Sequence, residues 1–258
     1  MTWWQAVFLA AVQGLTEFLP ISSSGHLVLF QKFFNLEPPV LFDILVHVGT
    51  LFSIVFFFRK ELLKILKGLF KKEKDDWRIF WLLVIGTIPA VVVGLFLQRN
   101  INQIFGSLPL LAGSFLITGF LLLSTLWLKQ ENHKNFKNIG WFDALIVGFF
   151  QAVAILPGIS RSGSTLVGGL SRKIDRQTAF RFSFFLAIPA ILGALILQIT
   201  DLLNHHFDLT GQSLLGMFLA GLVGWFSLRF LQRILLNSKL WVFSFYCFFL
   251  AILIFSFL

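Results

Sequence analysis

Residues 13–26 read QGLTEFLPISSSGH, and residues 151–164 read QAVAILPGISRSGS. Laid over one another at a shift of 138 residues, without a gap, Gln13 falls on Gln151, Ile21 on Ile159, Ser22 on Ser160, Ser24 on Ser162 and Gly25 on Gly163. Each string continues a short apolar stretch, roughly 6–20 and 141–157, that breaks at a proline (Pro20, Pro157) and turns through Ser and Gly. Such a stretch is short for a helix crossing a ~30 Å hydrocarbon layer, and suits a segment that enters the layer and returns on the side it came from. Irregular backbone at that depth is tolerated only where it is buried in protein or lines a polar cavity, so both turns are expected to face inward.

The surrounding sequence agrees. Of the chain, 57% is hydrophobic and only 13% charged, and the mean hydropathy is +0.85. A water-soluble core cannot hide that much apolar side chain, so the solvent is lipid. Six runs have about the length of a span: 42–58, 79–97, 108–128, 182–200, 212–231 and 240–258. The stretch 59–78 is dense in Lys and Arg and reads as a solvated cytoplasmic loop. Alternation then puts 99–107 and 201–211 outside and 129–140 and 232–239 inside. Loop 201–211 carries Asp201 and Asp208 with no Lys or Arg, whereas the inner loops carry Lys129, Lys134, Lys137, Arg233 and Lys239. The net charge of +9 is thereby explained by orientation and anionic headgroups rather than by nucleic acid. Cys247 is the only cysteine, so neither a disulfide framework nor a thiolate metal site is available. The N-terminal run lacks a basic n-region and a small-residue exit and carries Glu17, so it reads as mature protein.

The expected fold is an all-α membrane domain over 1–258, with about six transmembrane helices and two re-entrant helical hairpins. Three spans separate the two hairpins. An odd number inverts the second copy, giving repeat halves of roughly 1–130 and 139–258 in opposite topology, with a binding site where the halves meet near the midplane.

Gln13 and Glu17 are four apart and share one helix face. A carboxylate in a membrane segment is costly unless it meets water, a cation or a partner, and Glu17 adjoins the polar turn Ser22, Ser23, Ser24, Gly25, His26. That turn offers hydroxyls as nucleophile or donor and an imidazole as base or nucleophile. The second turn holds Arg161 among Ser160, Ser162, Gly163 and Thr165. A guanidinium at that depth needs an anion, its planar fork suits phosphate oxygens, and Ser160, Ser162 and Thr165 can add donors. An acid with a His and hydroxyls on one loop, and an anion clamp on the other, suits phosphoryl transfer to water. A divalent cation bridging Glu17 and phosphate oxygens would be typical. Asp43 and His47, one turn apart, either support the site or sit at its mouth; Arg181 reads as a membrane-surface anchor.

The Gln13/Glu17 pair, the run Pro20 to His26 and the block PGISRSGST at 157–165 resemble the undecaprenyl-diphosphate phosphatase family, also called bacitracin-resistance proteins, over essentially the whole chain. The resemblance implies hydrolysis of undecaprenyl diphosphate to the monophosphate, with Mg2+ or Ca2+, at a site open to the periplasmic face of a bacterial inner membrane. It implies roles for Glu17, Ser23, His26, Ser160, Arg161 and Thr165. Gln13 stands where many members have Glu, which leaves Glu17 as the main acid. Three nucleophiles stay open: Ser23, His26 and water. The expected partners are a polyprenyl diphosphate, membrane lipids and a second copy in a homodimer, with no nucleic acid. The rival from another class is a lipid-carrier flippase or transporter, since inverted repeats with broken helices also build transporters.

Overall fold

The computed structural model describes residues 1–36, 40–97, 107–128, 134–202 and 209–256. Eleven α-helices lie among them: α1 (Trp3–Phe18), α2 (Ser23–Phe33), α3 (Val40–Phe57), α4 (Arg59–Phe70), α5 (Lys74–Leu97), α6 (Leu108–Leu123, prolonged by a 3-10 turn at Ser124–Leu126), α7 (Trp141–Val153), α8 (Arg161–Ser171), α9 (Arg176–Leu202), α10 (Gly211–Leu236) and α11 (Val242–Phe255). Apart from one isolated bridge between Lys134 and Ile174, the described residues contain no strand pairing. Helices α3, α5, α6, α9 and α10 are long and apolar enough to cross a membrane. The run at 240–258 is apolar as expected, but α11 has only 14 residues, about 21 Å at 1.5 Å per residue, and so falls short of a full span.

The stretch 59–78 differs from its expected form. It is helical nearly throughout, because Leu62, Ile65 and Leu69 recur at three- and four-residue spacing and give α4 an apolar stripe. Asp75 and Asp76 then stabilise the first turn of α5, which begins five residues ahead of its apolar run. Lys129 and Asp208, cited for orientation, lie outside the described residues.

The two short stretches each form a helix, a turn and a second short helix. In the first pair the end of α2 comes back beside the start of α1: the Phe34 ring meets Trp4 at 5.3 Å and Phe8 at 5.5 Å. In the second, Arg172 past the end of α8 donates to Asp143 in the first turn of α7 at 2.8 Å. Both are therefore hairpins. Equivalent serines open the second arms: Ser22 Oγ accepts from Gly25 N–H at 3.3 Å and Ser160 Oγ from Gly163 N–H at 3.2 Å.

Each hairpin docks on a helix from the other half of the chain. Helix α1 packs along α10, and α7 packs along α5. At these crossings Gly14 faces Ala220 and Gly224, while Gly148 faces Gly86; Gly86 and Gly224 are themselves 138 residues apart. The hairpins start at opposite ends of the bundle. Trp3 at the start of α1 lies against Gly211. The start of α7 belongs to a basic layer at the other end. There Arg78 donates to the Phe136 and Ile139 carbonyls, Lys134 and Arg172 both bond Asp143, Arg176 donates to the Leu236 carbonyl, and Arg181 approaches Glu61 at 3.9 Å. Arg181 is thus an anchor in this layer rather than part of the site. The segments expected inside are joined on one face.

Candidate active site

The two hairpin tips meet in the middle of the bundle. Ser22 Oγ accepts from Gly158 N–H at 3.1 Å, and Ser162 Oγ donates to the Leu19 carbonyl at 3.3 Å. Thr118 of α6 braces the second tip, donating to the Gly158 carbonyl at 2.9 Å and accepting from Ser160 N–H at 3.1 Å. Gly158 has φ +91 and sits hard against Leu111 and Ser114, where a side chain would be strained and would not fit. Ser22 holds φ +68, an uncommon conformation for a residue with a Cβ, and its hydroxyl stays pinned between the two tips.

Glu17 collects the polar groups of this junction. Its Oε1 accepts from Arg161 Nη2 at 2.6 Å, and its Oε2 accepts from Ser23 Oγ at 2.6 Å and Gln13 Nε2 at 3.1 Å. Glu17 is 8% exposed, and a carboxylate so buried stays charged only because a guanidinium and two donors face it. Arg161 uses one nitrogen on Glu17, while its Nη1 is buried without a partner. The missing partner of that N–H is an oxygen, ideally an anionic one.

The remaining site residues fall into two groups. Ser160 and Ser162 share a 3.2 Å hydroxyl contact, and Thr165 bonds the Arg161 carbonyl at 2.9 Å and Ser183 at 2.5 Å. All three are 1% exposed, so in this arrangement their hydroxyls hold the shape of the loop that carries Arg161. His26 is not bonded to Ser23. Its Nδ1 meets the Ser22 carbonyl at 2.7 Å and its Nε2 meets Tyr246 Oη at 2.7 Å, with the two rings stacked 3° from parallel. His47 joins the site from α3: its Nδ1 donates to the Asp43 carbonyl at 2.8 Å and its Nε2 lies 4.0 Å from Glu17 Oε2. The Asp43 carboxylate accepts from Gln31 at 3.2 Å, one turn nearer the start of α3.

Tyr246 and Thr118 were missed by the sequence reading. Neither stands in a motif, although Tyr246 is the only tyrosine in the chain.

Among the described residues no three His, Cys, Asp or Glu side chains cluster as a ready-made metal cage. The Glu17 carboxylate with the buried, unpartnered Oε1 of Gln13 beside it is nonetheless an oxygen pair of the kind hard divalent cations accept, with phosphate oxygens and water completing the shell. The residues fit such an ion.

Fold and site define a multi-pass helical membrane protein with a buried carboxylate, hydroxyl and guanidinium where two hairpins touch. Relatives carry the same reading further. The family described as Bacitracin resistance protein BacA matches residues 6–253, and the chain belongs to that family. It is 43% identical over 250 residues to an undecaprenyl-diphosphatase of Thermosipho africanus, covering 96% of this chain and 98% of that protein. It is 43% identical over 262 residues to an undecaprenyl-diphosphatase of Carboxydothermus hydrogenoformans, covering 98% and 97%. A Methanococcus maripaludis protein of the same name is 39% identical over 254 residues, covering 98% of this chain and all of that protein.

Proposed function

We propose that this protein is a membrane phosphatase that hydrolyses undecaprenyl diphosphate to undecaprenyl phosphate and inorganic phosphate. That reaction recycles the lipid carrier of cell-wall synthesis and accounts for bacitracin resistance. The observation that carries the reading is the position of Glu17, bonded at once to the Ser23 hydroxyl and to a guanidinium with a second, unpartnered N–H.

In the resting site Arg161 neutralises Glu17. A diphosphate offers Arg161 more negative charge, so its arrival draws the guanidinium onto phosphate oxygens and leaves the carboxylate free as a base. The Ser23 hydroxyl, already pointing at Glu17, is the nucleophile. Its Oγ bonds the terminal phosphorus as the bond from that phosphorus to the bridging oxygen breaks; its proton passes to Glu17, and undecaprenyl phosphate departs. Water then attacks the phosphoserine, leaving OH on phosphorus while its other proton returns to Ser23 Oγ, and Glu17 gives up its proton to solvent. Arg161 follows the charge of the transferring phosphoryl group through both steps. His26 acts from behind, holding the turn through the Ser22 carbonyl. Glu17 and Gln13 would hold a Mg2+ or Ca2+ ion, which supplies further charge neutralisation on phosphate oxygens.

We read the hairpins as re-entrant and the two halves as an inverted repeat in a bacterial inner membrane. The return of each hairpin to its own starting end and the reciprocal docking of α1 on α10 and α7 on α5 support this. The basic layer marks the cytoplasmic end by the positive-inside rule. On this reading the site would open toward the other end; Asp43 of α3, bonded to Gln31 of α2 and one turn from His47 in that direction, supports this.

Purified protein with Mg2+ is expected to release phosphate from undecaprenyl diphosphate, and a chelator to stop it. Ser23→Ala and Arg161→Ala should each lower kcat by at least about a hundredfold, and Arg161→Ala, which leaves the buried Glu17 carboxylate without its guanidinium, should also lower the melting temperature while a cooperative transition persists. A flippase would release no phosphate in any of these forms. Full activity in Ser23→Ala would transfer the nucleophile's role to water.

A further inference from the structure

Helix α4 carries a second feature, separate from the catalytic reading. Lys60, Lys64, Lys67 and Lys71 recur at spacings of four, three and four, so their side chains fall along one stripe. They line a groove of about 400 Å³ with Leu63, Gly68 and Glu73. Beside that stripe runs an exposed apolar one: Leu63 is 54% exposed, Leu66 51% and Phe70 88%. The third face, Leu62 and Ile65, packs on the core of the bundle. Gly68 is pressed against Asp76, so α4 is held close to the start of α5, where Trp77 and Trp81 stand exposed at the level of an interfacial aromatic belt. None of the four lysines makes an ion pair among the described residues.

A helix with one face on the protein, one apolar face and one lysine face between apolar surface and water has the shape of an interfacial helix. We propose that the α4 groove is a docking site for the headgroup of an anionic phospholipid of the same leaflet. Its acyl chains would lie along Leu63, Leu66 and Phe70, and its phosphate among Lys64, Lys67 and Lys71. The adjoining apolar stripe sets this ligand apart from a free phosphate or a nucleic acid, neither of which has a use for it.

The test uses full-length protein reconstituted in phosphatidylcholine vesicles doped with phosphatidylglycerol, then extracted gently and weighed with its retained lipid by native mass spectrometry. The wild type is expected to retain phosphatidylglycerol about tenfold above its share of the vesicle. Replacing Lys64, Lys67 and Lys71 by Gln should abolish the enrichment with phosphate release from the prenyl diphosphate unchanged. A control removing the same charge elsewhere, Lys137→Gln with Lys173→Gln and Lys239→Gln, should keep it. Equal loss in both triple variants, or in neither, overturns the site. So does retention of an added oligonucleotide in place of the lipid.

Discussion

Tyr246 lies 220 residues from His26 in the chain and closes the hydrogen bonding of its ring. With Nδ1–H donating to the Ser22 carbonyl, the neutral imidazole presents Nε2 as an acceptor, and the Tyr246 hydroxyl fills it. Phe115 meets the same ring edge-on at 5.6 Å. The imidazole is therefore clamped in orientation and tautomer, and it clamps the turn that presents Ser23. Tyr246→Phe keeps the ring stack and removes one donor, leaving a buried acceptor unpaired at a cost of about 1–3 kcal/mol. If His26 acts by holding the turn, as proposed, kcat should fall about tenfold with KM little changed. A variant with wild-type kcat would mean that the Tyr246 hydroxyl has no part in holding the turn. Gln13, Glu17, Ser23 and Arg161 were legible in the sequence because a carboxylate and a guanidinium in apolar surroundings each demand a partner. Tyr246 was not, because an aromatic in an apolar helix resembles any of the chain's 34 Phe residues until the fold shows what its hydroxyl touches.

Between elements, the decisive contacts are backbone-close crossings made by glycine. A Cβ on Gly14 would stand 2.7 Å from the Ala220 carbonyl oxygen and 2.8 Å from Val223 Cβ, so α1 cannot lie on α10 with any larger residue there. Close approach of this kind is how helices associate in lipid, where no hydrophobic force draws them together. Gly14→Val should destabilise the protein by about 1–3 kcal/mol through overpacking, seen as a lower unfolding temperature in detergent. Gly113 is the internal control: nothing lies within 4 Å of its would-be Cβ, so Gly113→Ala should hold or raise that temperature. An unshifted Gly14→Val would mean that α1 has room to move off α10. The sequence announced both hairpins, through a proline and a Ser/Gly turn after too short an apolar run. It hid α4, because eight basic residues in 59–78 read as solvent exposure although Leu62, Ile65 and Leu69 keep helical spacing beneath them. The span expected at 240–258 was overdrawn for a related reason. Hydropathy marks where a chain is apolar, not where its helix begins, and α11 begins only at Val242.

At the scale of the whole molecule, the layer of charge at one end of the bundle is the feature from which the proposed orientation in the membrane follows. Arg78, Lys134, Arg172, Arg176 and Arg181 all make their polar contacts in that layer, whereas the start of α1 lies at the other end against Gly211. The Glu17 site lies on α3 at the depth of His47, seven residues from the start of that helix at Val40, about 10 Å at 1.5 Å per residue. Helix α3 continues to Phe57 and leads into α4 beside the basic layer. Along α1 the same site lies 14 residues from Trp3, about 21 Å, so it sits deep in the bundle, and the side it opens to under the proposed function follows from which end faces the cytoplasm. A membrane-impermeant maleimide tests this directly, since the single native cysteine, Cys247, is fully buried and stays silent. In intact cells Leu209→Cys, at a residue 61% exposed near Gly211, should label, and Lys137→Cys in the basic layer should not. After permeabilisation both should label. The reverse order in intact cells would open the Ser23–Glu17 site to the cytoplasm. The positive-inside rule would then fail for this chain.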